Sequence, residues 1–211
     1  MITKNKVLMA QACASLSGKW GIAVCSTLAY GAICGLVGSI TVVGGVWDNI
    51  VLQQIFQYAV MLLVIPPFTL GFIMFYLALS RGEKVSLDLL FKGFNSYTTA
   101  LVANFLVFIF VFLWTLLLIV PGIIAYLAYS QVFYIIADNP EISAMEALRR
   151  SKNMMRGYKW KLFCLGLRFI GWILLGVLTL GIGYFWLLPY MQTSYTKFYD
   201  DLMANQGEYN I

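Results

Sequence analysis

The chain has 211 residues, of which 61% are hydrophobic and 11% charged, against roughly 25% charged in an average soluble domain. No soluble fold buries that much apolar surface. The net charge of +5 sits beside apolar runs, where anionic lipid headgroups are nearer partners than nucleic acid, and the four cysteines, Cys13, Cys25, Cys34 and Cys164, lack C-x-x-C spacing, which argues against a disulfide framework or a zinc site.

Thirteen of the fourteen Lys and Arg residues fall at 4–19, 81–92, 149–161 and 197. Long apolar segments separate these stretches, so the spacing reads as a polytopic membrane protein with its basic connections, and both termini, on the cytoplasmic side. The expected fold is all-α, a single integral membrane domain over residues 1–211 with about six spans.

In chain order, Lys4, Lys6 and Lys19 mark a short interfacial helix over about 3–18. Residues 20–46 form the first span, with an uncharged run too long for the apolar core of a cleaved signal peptide. Gly31-x-x-x-Gly35, Gly38, Gly44 and Gly45 suit close helix packing within the subunit or across a homo-oligomer. Asp48 lies in the first outer connection. The second span, 50–80, contains Pro66-Pro67, which predicts a kink or a break. Ser86 and Asp88 open a shorter segment that ends at Gly93.

Residues 93–137 carry no charge for 45 positions, about 67 Å as one helix and twice a bilayer core. They must fold back, and Pro121-Gly122 is the expected turn between spans 96–120 and 122–138. Ser143-Ala-Met-Glu146 is a capping box that opens a helix running to Gly157, with Arg149, Arg150, Lys152 and Arg156 as its polar surface. Spans 162–180 and 184–200 follow, joined through Gly181 and Gly183, and the last contains Pro189.

Aligning these segments suggests three copies of one unit, about 3–80, 84–138 and 141–205. Each has a cytoplasmic segment ending in glycine near an aromatic residue, a span, an outer turn and a second span. The second spans carry Pro66 with Phe75-Tyr76, Pro121 with Phe133-Tyr134, and Pro189 with Phe198-Tyr199. Chance agreement in so aromatic a sequence is the competing explanation.

Arg168 is the one ionisable residue expected well inside a span. It lies on the same helix face as Lys161. Either its guanidinium snorkels to the inner headgroups, or Arg168, Lys161 and Tyr158 form an anion or lipid-phosphate site. The even-numbered spans carry polar faces: Thr69, Tyr76 and Ser80; Tyr126, Tyr129, Ser130 and Tyr134; Gln192, Tyr195, Thr196 and Tyr199. They either line a common polar pocket or hydrogen-bond between helices, with the inner tyrosines in the interfacial belt.

With no histidine, zinc-protease chemistry and a Ser-His couple lack their parts. No acidic residue is expected deep in a span, and no phosphate-binding glycine loop is present. The chain reads as non-enzymatic, without a cofactor.

Leu113-Trp-Thr-Leu-Leu-Leu-Ile-Val-Pro-Gly122, Ala147-Leu-Arg-Arg-Ser-Lys-Asn-Met-Met-Arg-Gly157, Phe169-Ile-Gly-Trp172 and Leu188-Pro-Tyr190 resemble a bacterial integral-membrane family catalogued as domain of unknown function 975, over nearly the whole length. The resemblance implies a multi-span protein of the bacterial plasma membrane and supplies no activity or catalytic residues. Arg168 stands where a small polar residue is expected in relatives. The leading expectation is a membrane-embedded binding or transport component for a lipid, amphiphile or small anion. The alternative is a structural or accessory protein whose basic helices dock anionic lipid or a membrane-protein partner.

With the native cysteines replaced by serine, a cysteine placed at position 48 should react with an impermeant reagent added outside the cell, and one placed at 152 should not. The reverse pattern would overturn the orientation.

Overall fold

The computed structural model describes residues 3–43 and 50–207, and every regular element among them is helical. Asp48, Gly44 and Gly45 lie outside the described residues. The helices are α1 (Asn5–Leu16), α2 (Trp20–Val43), α3 (Ile50–Ser80), α4 (Leu89–Lys92, continuing as a 3-10 turn over Gly93–Ser96), α5 (Tyr97–Leu117), α6 (Ile119–Tyr129), α7 (Val132–Asp138), α8 (Ala144–Met154), α9 (Lys159–Leu178) and α10 (Tyr184–Gly207).

Five segments are long and apolar enough to cross a membrane: Trp20–Ser39, Ile50–Ser80, Leu89–Leu117, Ile119–Asp138 and Lys159–Leu178. The expected sixth span, within α10, is not among them, because from Gln192 onward that helix carries Thr193, Ser194, Thr196, Lys197, Asp200 and Asp201. Those polar residues are turned inward. Thr193, Ser194 and Thr196 are fully buried and give their hydroxyl protons to the carbonyls of Pro189, Tyr190 and Gln192 one turn back. Beside them Phe198, Tyr199 and Leu202 form part of the main core.

Of two proline expectations, one is narrowed and one corrected. The helix α3 continues through Pro66 and Pro67 without a break. Pro67 has no N–H to give to the Leu63 carbonyl four residues back, and the Tyr97 hydroxyl donates to that oxygen instead, at 3.2 Å. The turn after α5 falls at Leu118, the only extended residue there, so Pro121 and Gly122 lie in the first turns of α6 rather than between the helices. Gly122 faces Thr115 so closely that a Cβ would collide with it, which explains the glycine. The fourth span is also not continuous, since α6 and α7 are separated at Ser130-Gln131.

Within the subunit, the glycines that permit close packing are not those of the Gly31-x-x-x-Gly35 motif. Gly31 and Gly35 are exposed on α2, with nothing within 4 Å of a Cβ placed on either. The tight crossing is instead α4 and its 3-10 turn on α3. A Cβ at Gly71 would collide with the Leu90 carbonyl, and one at Gly93 with the Pro67 carbonyl. Between α9 and α10, the chain reverses through Leu180 (φ 53) and Gly181 (φ 90), a left-handed pair that ends α9 as a glycine C-cap does.

The ends of α3 and α7 meet the later part of α10 in an ion cluster. Arg81 binds Asp138 in bidentate fashion (2.7 and 2.9 Å) and Asp200 through Nη2 at 2.9 Å. Ser80 donates to Asp200 at 2.9 Å, Tyr199 to Asp138 at 2.9 Å, and Lys197 Nζ to the Ser80 carbonyl at 2.6 Å. The hydrogen bond to Asp138 pushes the Arg81 guanidinium above its ordinary pKa, against desolvation. Lys161 pairs with Asp201 at 2.8 Å, and Asp201 also receives the Thr3 N–H. This end of the bundle therefore gathers residues from 3 to 201.

Gly93→Ala should destabilise the protein by about 1–3 kcal/mol or more, as overpacking does, whereas Gly35→Ala should stay within about 0.5 kcal/mol. Thermal unfolding in detergent checks both. Equal effects would mean that the α3–α4 crossing is not closely packed.

Candidate binding cavity

The interruption at Ser130-Gln131 is bridged from outside the span. In α8, Ser143 caps the first turn by accepting the Glu146 N–H at 3.3 Å, which fixes where the helix starts. Its buried face is Ala144, Ala147, Leu148, Ser151 and Met154, while Arg149, Arg150 and Lys152 are exposed. The guanidinium of Arg150, together with that of Arg149, lowers the pKa of Glu146. Ser151, with no exposed surface, donates to the Ala128 carbonyl at 2.8 Å and accepts the Gln131 N–H at 3.3 Å. One hydroxyl thus satisfies both a carbonyl and an N–H beside the break. Irregular backbone at membrane depth persists where protein or a cavity supplies such partners.

Beside the break lies a cavity of about 540 Å³. It has wall residues Tyr30 from α2, Thr69 and Phe72 from α3, Tyr126, Ser130, Gln131 and Tyr134 from the α6–α7 region, Phe163, Gly166, Leu167 and Ile170 from α9, and Gln192 and Tyr195 from α10. Tyr126 is 63% exposed, Leu167 46% and Ile170 48%, so the mouth opens sideways between α6 and α9, on the apolar flank of the bundle. Tyr134 and Gln131 are buried at 6% and 3% exposure and form the inner wall. Gln192 Nε2 donates to the Tyr134 hydroxyl at 3.2 Å, and Tyr30 meets Thr69 at 2.9 Å. No charged residue among those described lines the cavity.

Of the residues expected at a polar pocket, Thr69, Tyr126, Ser130, Tyr134, Gln192 and Tyr195 come together here. Five others do not line it; Ser80 donates to Asp200, and Thr196 bonds back to the Gln192 carbonyl. Tyr76 is fully buried against α2, bonding to Thr27 at 2.7 Å and donating to the Ala23 carbonyl at 3.1 Å. Tyr129 stacks on Phe110 at 5.8 Å. Tyr199 stacks on Tyr134 at 5.2 Å and gives its hydroxyl proton to Asp138. Pocket and interhelical bonding are therefore both present, divided residue by residue.

The proposed anion trio is only partly assembled. Arg168 and Lys161 line one concavity of about 590 Å³, together with Lys4 and Lys6, while Tyr158 lines a different one with Arg150, Asn153 and Tyr199. Lys161 is already paired with Asp201. Arg168 is exposed and makes no ion pair among the described residues. Lys4 and Lys6, at the start of α1, are the cations that sequence spacing did not connect to it. Gln131 and Tyr30 were also missed. A lone Ser-Gln pair within 45 uncharged positions was the one available signal for Gln131.

Five segments long and apolar enough to cross a membrane, four of which contribute to the cavity wall, mark the chain as an all-helical membrane protein. Residues 115–206 match the family described as Protein of unknown function (DUF975), and over that stretch the chain resembles it. The match includes α6 to α10 nearly entire, and hence most of the cavity wall, but is shorter than the near full-length resemblance expected. No curated protein and no solved structure matches the chain.

Ser151→Ala should cost about 1–3 kcal/mol by leaving the Ala128 carbonyl and the Gln131 N–H without their partner. A lower unfolding temperature in detergent checks this, and an unchanged one would mean that the break does not depend on α8.

Proposed function

We propose that the protein is a non-enzymatic, membrane-embedded binding component that takes a lipid or other amphiphile from the bilayer into the cavity between α6 and α9. The observation that carries this reading is the sideways mouth. An apolar flank open at Tyr126, Leu167 and Ile170 admits a ligand already dissolved in hydrocarbon, and the polar inner wall suits the head of such a molecule. Its volume lies within the range of small-molecule sites, roughly 300–1,000 Å³. Transport follows if the same cavity also opens toward one face.

In this reading α10 is the sixth span. It crosses the membrane despite its polar second half because that half is enclosed by other helices, where buried hydroxyls bond to carbonyls of their own helix. The chain then folds as three hairpin units with the second spans, α3, α6–α7 and α10, around a common axis. Support comes from their shared ion cluster at Arg81. The positive-inside distribution places that end, and both termini, in the cytoplasm, with α8 as an amphipathic helix at the inner surface of a bacterial plasma membrane.

A second reading, an accessory protein docking anionic lipid, draws on a separate observation. Lys4, Lys6 and Arg168 converge from α1 and α9, and Arg149, Arg150, Lys152 and Arg156 are exposed nearby in sequence.

Gly166 borders the cavity with only the Tyr195 hydroxyl, at 3.7 Å, near a Cβ placed on it. In Gly166→Leu the added side chain should fill the space. Native mass spectrometry of protein extracted gently from its own membrane should show a retained amphiphile that this variant loses, with folding unchanged. Equal retention would remove the cavity as the site, and loss on Arg168→Leu instead would favour the accessory reading.

A further inference from the structure

The first turn of α1 is charged against its own helix. The N-terminal end of a helix carries partial positive charge and favours acidic residues. Yet α1 has no acidic residue in its first turn; its N-cap is Lys4, which makes no side-chain cap, and its second residue is Lys6. Repulsion of that kind disfavours a fixed position for the segment, but other contacts fasten it down. Thr3 gives its N–H to Asp201 at 3.2 Å, Lys161 pairs with the same carboxylate at 2.8 Å, and Asn5 Nδ2 donates to the Lys161 carbonyl at 3.0 Å. The residues on both sides of Lys4 are thus bound to α9 and α10, and Lys4 and Lys6 are kept on the wall of the same concavity as Arg168.

Positive charge is left over there. Asp201 is taken up by Lys161 and Thr3, no acidic residue lines the concavity, and Lys4, Lys6 and Arg168 make no ion pair among the described residues. Ammonium and guanidinium groups offer N–H donors and no acceptor, so their complement is an anion with several oxygens. A carboxylate or a phosphodiester brings one charge and two free oxygens. A phosphate monoester brings about −1.5 to −2 of charge at neutral pH and three oxygens, the better match for three cations. Position indicates where it comes from. Arg168 lies seven residues, about 10 Å, farther along α9 than Lys161, and its neighbours Leu167 and Ile170 are exposed on the apolar flank. A molecule that reaches Arg168 from that flank is a lipid.

We infer that this concavity holds the terminal phosphate of a membrane lipid, with Lys4, Lys6 and Arg168 as its donors. The site is separate from the cavity between α6 and α9. It rests on the second reading above, in which the basic surface meets anionic lipid, and adds the class of head group. Because α1 and α9 both contribute cations, the bound phosphate also fastens α1 to α9.

The test uses the full chain in phosphatidylcholine nanodiscs and two probes with identical acyl chains, dioleoyl phosphatidate and dioleoyl phosphatidylglycerol, with inorganic phosphate as competitor. Retention is read by native mass spectrometry. Wild type should hold phosphatidate roughly tenfold better than phosphatidylglycerol, the ratio that one further charge-assisted hydrogen bond supports, and excess inorganic phosphate should not displace it. Arg168→Gln, and Lys4→Gln combined with Lys6→Gln, should each bring phosphatidate down to the level of phosphatidylglycerol. Lys92→Gln, which removes an exposed cation elsewhere, should not. The comparison of lipids on the wild-type chain needs no variant, so a folding defect in any of them leaves it intact. Equal retention of the two lipids, both lost on Arg168→Gln, would overturn the inference while leaving docking of anionic lipid in place. Displacement by inorganic phosphate would overturn the lipid source and assign the site to soluble phosphate. Retention of neither lipid, or retention unaffected by the Lys4, Lys6 and Arg168 variants, would overturn both the inference and the accessory reading, and phosphatidate lost only on Gly166→Leu would move it to the cavity.

Discussion

The guanidinium of Arg81 joins three helices that are distant in sequence. It reaches Asp138 at the end of α7 and Asp200 in α10 from the end of α3, and Tyr199 and Ser80 complete the coordination of the two carboxylates. The cluster is partly exposed, so its contribution lies less in net ion-pair energy than in geometry. A planar, forked donor with two carboxylates fixes where the three helices sit relative to one another. The cavity lies farther along these same helices, and its wall residues Thr69, Tyr134 and Gln192 are in register because the cluster pins them.

Polarity inside this bundle is managed locally. Buried hydroxyls on α10 bond one turn back along their own helix. The proline gap in α3 is filled by Tyr97, and the gap between α6 and α7 by Ser151. Two buried side-chain acceptors, Asn5 Oδ1 and Gln131 Oε1, are left without a partner among the described residues. In a membrane protein that pattern matters, since hydrocarbon offers unsatisfied groups no substitute partner.

Much of the architecture was legible in linear order. The second span ends at Ser80 as expected, Ser143 caps α8, and polar residues of three separate segments, α3, α6–α7 and α10, meet at one cavity. Errors came where a local signal has more than one structural use. Pro121-Gly122 resembles a turn, yet Leu118 turns and the proline sits harmlessly in the first turn of α6, where few N–H groups are used. Gly31-x-x-x-Gly35 resembles a packing motif, yet within the subunit the close approach is made by Gly71 and Gly93, which share no helix and no motif, so the motif's use is left to contacts between subunits. Arg168 does share a concavity with Lys161, as helical spacing implies, but Lys4 and Lys6, which also line it, come from the other end of the chain.

Composition and the spacing of charge determined by themselves that this is a helical membrane protein, where most of its spans lie, and which residue types could meet inside it. Those properties depend on hydrophobic length and on the cost of placing charge in hydrocarbon, both written residue by residue. Only the tertiary structure decided that α10 is buried by its polar half, that α6 and α7 part at Gln131, and that the open volume faces sideways. Each of these depends on a partner supplied from a distant element, Arg81 for Asp200 and Ser151 for Gln131. Such pairings have no signature in local periodicity.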